Sequence, residues 1–200
     1  MKTSTKRLCV TMVSPEIVPF SKTGGLADVV AGLSEALALA GHDVAVVTPL
    51  YDSVDRSDLR LSETSLRIPV GEDLLAARIW EARSAQGVAT YFLEIPELYD
   101  RPGLYGESGE DYPDNARRFA ALCRGALELI VTHENRRDIV HVHDWQAALI
   151  PLYMRSIYAG DPRLGSARSV LTLHNLAYQG IFDLENLVDT GLGTSYSTPR

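Results

Sequence analysis

Within residues 8–48 an apolar run, a loop with prolines and glycines, a helical repeat and a second apolar run follow one another. Leu8–Val13 (LCVTMV) has the length and composition of a buried strand and stops at Ser14-Pro15. Ser14–Thr23 reads as a loop stiffened by Pro15 and Pro19. From Leu26 the apolar residues Leu26, Val29, Val30, Leu33, Leu37 and Ala40 fall at helical spacing, a single stripe that Gly41 ends. HDVAVVTP then supplies a second strand, Val44–Thr48. Strand, loop, helix and strand in this order form a βαβ unit with a right-handed crossover.

The remainder extends the pattern. RLSETSLRIPV, LLAARIWEAR and VATYFLEI read as three further strands, the last two paired around Ala85-Gln86-Gly87. From Pro113 a long helix places Phe119, Leu122, Cys123, Ala126, Leu127 and Ile130 on one face. Arg117, Arg118, Arg124 and Glu128 fall mostly on the other. DIVHVHD is a strand, WQAALIPLYMRSIY one helix that Pro151 should kink, and SVLTLH a strand. The expected fold class is therefore α/β, a Rossmann-like, mainly parallel sheet flanked by helices. Ligands of such sheets bind beyond the carboxyl ends of the strands. Three strand ends carry polar residues, Ser14 to Gly25, His143-Asp144 and His174-Asn175, and they are expected to meet in one crevice.

Charge and cysteine content narrow the class. A net charge of −7 argues against nucleic-acid and anionic-membrane partners, which require clustered Lys and Arg. An anionic ligand would need a local site. Cys9 and Cys123, both in apolar surroundings, suggest reduced thiols and a cytoplasmic setting. Lys2, Lys6 and Arg7 precede an apolar run too short for a secretory segment, and no stretch approaches a membrane span.

Three motifs carry chemistry. In KTGGL, Lys22 stands at the mouth of a helix whose first N–H groups are unsatisfied, with Gly24 and Gly25 allowing close backbone approach. Lys22 reads as the unpaired cation of its stretch, and a phosphate or diphosphate would explain it. A glycine-rich turn with a solvated lysine fits the same spacing. In HVHDWQ, His141 and His143 share one strand face, as an H-x-H metal pair does, with His174 and Asp183 as conceivable further ligands. One packed and one hydrogen-bonded histidine is the other reading. Asp144 beside Trp145 is a way to hold a sugar, and also a way to cap a helix. In LTLHNLAYQG, His174 and Asn175 end a strand facing the crevice, or form an Asn-containing turn.

Taken together, SPEIVPFSKTGGLADVVAGLSEALALAGHDVAVVTPLY, YDRPGLYG, DNARRFAALCRGALEL, HVHDWQAALIPLYMR and LTLHNLAYQGIF resemble the N-terminal half of bacterial glycogen synthases and plant starch synthases. These are retaining glucosyltransferases of the two-domain GT-B type. The resemblance implies transfer of glucose from ADP-glucose to the non-reducing end of an α-1,4-glucan, without a metal or other cofactor. It implies that Lys22, Gly24, Gly25, Asp28 and Asn175 serve the donor and its diphosphate, that His174 and Asp144 act at the reacting sugar, and that Tyr105 and Trp145 lie on the glucan side. It also implies that residues 1–200 form a truncated N-terminal domain without the C-terminal nucleotide-binding domain, so that this piece alone is expected to be inactive. A non-catalytic carbohydrate-binding module and a metal hydrolase on His141 and His143 are the alternatives from other classes.

Overall fold

The protein is described by a computed structural model covering residues 6–132 and 137–193, so Lys2 and the tail 194–200 lie outside the described residues. A seven-stranded sheet is its centre. The strands are β1 (Cys9–Val13), β2 (Asp43–Pro49), β3 (Arg60–Val70), β4 (Asp73–Arg83), β5 (Ala89–Glu94), then, after a two-stranded ribbon β6 (Gly106–Glu107) and β7 (Glu110–Asp111), β8 (Ile139–His143) and β9 (Arg168–Thr172). Their order in the sheet is β3-β4-β5-β2-β1-β8-β9. The five strands from β5 to β9 run parallel, and β4 and β3 extend the sheet antiparallel. As expected, β4 pairs with β5 around residues 84–88.

Both faces of the middle strands are covered, which explains why they read as continuous apolar runs rather than alternating ones. Val10 and Met12 of β1, with Val44 and Val46 of β2, pack under helix α1 (Leu26–Leu39). Val13 and Val47 face the opposite layer, where helix α3 (Asn115–Thr132) lies. The short helix α2 (Pro96–Tyr99) follows β5. α1 is rotated from the expected stripe: Ala27 and Ser34 are buried with Leu26 and Val30, whereas Val29 is 46% exposed.

Two further expectations need correction. α3 does not have a solvated face, because Arg118 and Arg124 are buried along with the apolar residues. The sheet packs on one side of it, and the segment 98–112 and the helices after β8 pack on the other. Phe119, Leu122, Leu127 and Ile130 are each worth about 1.5–3 kcal/mol of burial, enough to fix the helix between the layers. Gly125 lets it approach the sheet, since a Cβ there would lie 2.6 Å from Leu93 and 2.8 Å from Ile68. The segment after β8 is two helices rather than one kinked helix, α4 (Asp144–Ala147) and α5 (Ile150–Arg155). Pro151 sits in the first turn of α5, where its missing N–H costs nothing. A 3-10 turn (Leu184–Asn186) and α6 (Leu187–Thr190) end the described chain.

Candidate functional site

β1 lies between β2 and β8, so the connection from β1 runs to one side and β8 enters on the other. Loops leaving such a switch point diverge and leave a crevice at the carboxyl ends of the strands. A cleft of about 1100 Å³ occupies this position. It is lined by Gly24 and Gly25 after β1, Asp144 and Trp145 after β8, and His174 and Asn175 after β9. The expected convergence of three strand ends is thus present, and Tyr105 joins it from the segment after α2.

The loop after β1 is organised by a residue that the sequence did not single out. Glu16 is 2% exposed, and its carboxylate accepts from Thr23 N at 2.5 Å, Thr23 Oγ1 at 2.7 Å and Gly24 N at 3.4 Å. The Tyr105 hydroxyl donates to the same carboxylate. An anion therefore does sit against the KTGGL backbone, and it belongs to the protein. Nothing in the local sequence indicates that the partners of Glu16 lie seven and more residues away.

Lys22 is corrected from unpaired to paired. Its Nζ lies 2.7 Å from Asp28 Oδ2, with both side chains about half exposed. Asp28 belongs to the first turn of α1, where a carboxylate is also favoured by the helix dipole. Neither residue lines the cleft, whereas Gly24 and Gly25 do.

At the end of β8 the backbone of Asp144 takes φ 56°, a left-handed conformation that a non-glycine residue adopts at a cost. The turn aims its carboxylate across the sheet, where Oδ1 accepts from His174 N at 2.6 Å. No side-chain cap forms at α4, so Asp144 joins the ends of β8 and β9 instead of capping a helix. The two histidines of HVHD do share a face. Their rings stack at 4.3 Å, His141 Nε2 meets Thr172 Oγ1 at 2.8 Å, and His143 Nδ1 meets His174 Nε2 at 3.0 Å. Burial, then the neighbouring imidazole of His174, lowers the His141 pKa from its ordinary value. Burial, followed by His141 and His174, pushes that of His143 down to about 3. Both histidines are hydrogen-bonded, so the reading of one packed and one bonded is half right. Asp183 precedes the 3-10 turn, its carbonyl accepting from Asn186 N. Among the described residues no group of three His, Cys, Asp or Glu is placed to hold a metal ion.

The opposite wall is aromatic. Tyr105 is half-buried, its ring 5.8 Å from that of Phe119, and burial first, then Tyr51 and Glu16, raises its phenol pKa well above the usual value. Trp145 meets Phe119 edge-on at 5.0 Å and Phe182 at 5.4 Å. Gly180, at φ 62°, lies flat on the indole, and a Cβ there would stand 2.4 Å from Cε3. Arg118 holds the Tyr105 segment in place. Its Nε donates to Leu98 O at 2.7 Å and its Nη1 to Leu104 O at 2.9 Å, with the guanidinium over the rings of Tyr99, Tyr112 and Phe119. The ionisable side chains lining the cleft are Glu16, Tyr105, Asp111, Tyr112, Asp144, His174 and Tyr178, with no lysine or arginine among the described residues there.

Cys9 and Cys123 are free thiols, and burial pushes the Cys123 pKa up to about 12. Among the described residues no helix is long and apolar enough to cross a membrane.

Comparison with known proteins places this architecture. The chain is 40% identical over 191 residues to a glycogen synthase of Geotalea uraniireducens, covering 94% of this chain and 39% of the relative. A glycogen synthase of Anaeromyxobacter dehalogenans is 45% identical over 186 residues, covering 92% and 38% respectively. The chain thus spans about two-fifths of the length of these relatives. Among solved structures, the catalytic domain of starch synthase IV from Arabidopsis thaliana, bound to ADP and acarbose, superposes with a TM-score of 0.86 at 34% identity. That match covers 96% of this chain and 38% of the other. The profile of the starch synthase catalytic domain matches residues 9–200, nearly the whole chain, and with the mostly parallel sheet and shared topology it establishes that this chain belongs to that family.

Proposed function

We propose that this chain forms the glucan-facing part of an active site that transfers glucose from ADP-glucose to the non-reducing end of an α-1,4-glucan with retention. The observation that carries the reading is the meeting of Gly24-Gly25, Asp144-Trp145 and His174-Asn175 at one switch-point cleft, opposite Tyr105. The starch synthase IV domain that superposes on this chain is bound to ADP and acarbose, a nucleotide and a glucan-like oligosaccharide, which supports both substrate classes.

In this reading Gly25, at the start of α1, approaches the donor diphosphate with its backbone N–H, while Gly24, whose own N–H points to Glu16, leaves room for that approach. Lys22 exchanges Asp28 for a phosphate oxygen, a small loss because exposed ion pairs contribute only about 0–1 kcal/mol. His174, Asp144 and Asn175 orient the donor sugar, while Tyr105 and Trp145 offer ring surface to the glucan. Positive groups and N–H donors act where charge develops on the departing phosphate, so the chemistry needs no metal. The cleft wall of this chain carries carboxylates and no cation among the described residues, so further positive groups come from the nucleotide-binding remainder of a longer protein. Residues 1–200 are then the N-terminal, Rossmann-like domain of a GT-B enzyme.

The test replaces the matching segment of the G. uraniireducens glycogen synthase with this chain and follows glucose incorporation from ADP-glucose into glycogen. Transfer is expected, and His174→Ala should lower kcat by on the order of 10²–10³ with glucan binding kept. A folded chimera without transfer, or a His174→Ala variant at full rate, overturns the assignment.

A further inference from the structure

His143 is wholly buried, and the reading above gives it no role. It lies two residues past His141 on β8, and the parallel register of β8 with β9 aligns His143 with Thr172. Each histidine reaches the residue two positions beyond its partner: His141 meets Thr172, and His143 meets His174. The rings of His143 and His174 stack at 5.3 Å with 27° between planes, so the contact holds the His174 ring as well as one of its nitrogens.

A hydrogen bond between two imidazole nitrogens requires one proton, on one side only. The other nitrogen of His143 decides which. Nε2 of His143 is buried and, among the described residues, has no hydrogen-bond partner. If His174 Nε2 donated, neutral His143 would carry its proton on Nε2 and bury an N–H without an acceptor. If His143 Nδ1 donates, Nε2 is a bare lone pair, and unmet acceptors are tolerated inside proteins more readily than unmet N–H donors. The low pKa of His143 agrees with a neutral ring, which excludes protonation at both nitrogens. His174 Nε2 is thereby an acceptor, and the proton of the His174 ring resides on Nδ1. Among the described residues nothing bonds to His174 Nδ1, and His174 lines the cleft.

We propose that His143 is a positioning residue for His174: its Nδ1–H fixes His174 in the Nδ1-protonated tautomer, so that the cleft receives a hydrogen-bond donor suited to a sugar oxygen. The nature of that acceptor rests on the glucosyl-transfer reading, whereas the tautomer does not. The backbone of His174 is held independently, through Asp144 Oδ1, so His143 governs the ring and Asp144 the chain.

The experiment is nitrogen-15 NMR of this chain with labelled histidine near neutral pH, with no substrate present. His174 is expected to show a protonated Nδ1 and a bare Nε2, and His143 the same. In His143→Phe the His174 ring should lose the fixed pattern and show exchange between tautomers. His143→Asn, whose side-chain N–H can stand in for Nδ1–H, should restore it. A wild-type spectrum with His174 protonated on Nε2 overturns the proposal, as does an unchanged His174 tautomer in a folded His143→Phe variant. Should the phenylalanine variant fail to fold, the wild-type spectrum alone decides. Because no donor or glucan is present, failure here leaves the transfer reading standing, and failure of the chimera to transfer leaves the tautomer standing.

Discussion

At the residue scale, Glu16, Lys22 and the histidine pair of β8 behave differently from what their types suggest. Glu16 is a buried carboxylate with no basic side chain hydrogen-bonded to it among the described residues, held by N–H and O–H donors from the loop and from Tyr105. Glu16→Gln retains size but sets an amide donor against other donors. It should cost about 1–3 kcal/mol, lowering Tm by about 2–4 °C for each kcal/mol, as thermal unfolding will show. Lys22 is the reverse case, exposed and paired to Asp28. Lys22→Ala should leave Tm unchanged, yet in the chimera reduce kcat with ADP-glucose by on the order of 10²–10³, and Lys22→Gln separates charge from hydrogen bonding. A full rate in both variants makes Lys22 a solvated turn residue. The histidine pair predicts a pH dependence. Both pKa values are held below 6.5 in the folded protein, that of His143 at about 3. Unfolding restores the ordinary value, so the unfolded chain binds more protons between these limits. Stability is then complete above about pH 6.5 and falls with pH below it, and His143→Phe should flatten the Tm profile between about pH 6.5 and 5. A wild-type Tm constant over that interval refutes this.

At the scale of elements, the cleft depends on how segments are tied rather than on their own propensities. Arg118 joins α3 to the carbonyls of Leu98 and Leu104 and so sets the segment bearing Tyr105. Arg118→Met should strand those buried carbonyls at a cost of about 1.5–3 kcal/mol for each charged hydrogen bond lost. Proteolysis should then cut first within 98–112. Gly180 ties the segment after β9 to Trp145, and both its φ of 62° and its contact with the indole exclude a side chain. Gly180→Ala should displace the ring, read as a change in tryptophan fluorescence and weaker acarbose binding. These ties also explain where helices were misread. Periodicity placed Arg118 and Arg124 outward because it assumes that one side of a helix meets water, and α3 has protein on both. Pro151 read as a kink because the break lies at Ala148 and Leu149, residues with no breaking chemistry of their own.

For the whole molecule, the parallel strands, the switch point and the loops beyond it form one unit. The cleft it bears is lined by acidic groups without a cation among the described residues. A diphosphate there is unfavourable without help from outside the chain. The 200-residue protein by itself should therefore transfer no measurable glucose from ADP-glucose to a glucan primer, while still binding acarbose weakly through Tyr105 and Trp145. Calorimetry and label incorporation check the two halves separately. Turnover at the rate of a glycogen synthase would refute the charge argument.

The βαβ alternation, the parallel sheet and the gathering of three strand ends were legible in the sequence, because each follows from local periodicity and a general rule of sheet topology. Gly24, Gly25, Asp144, His174 and Asn175 accordingly line one cleft, and Tyr105 and Trp145, which the family resemblance rather than periodicity pointed to, line it as well. What the sequence could not reveal was pairing across distance. Glu16 filling the amides of the KTGGL loop, Asp28 taking Lys22, Asp144 reaching His174 N and His143 reaching the His174 ring are all contacts between residues that periodicity treats independently. Burial and the register of β8 against β9 choose those partners, and neither exists until the sheet has formed.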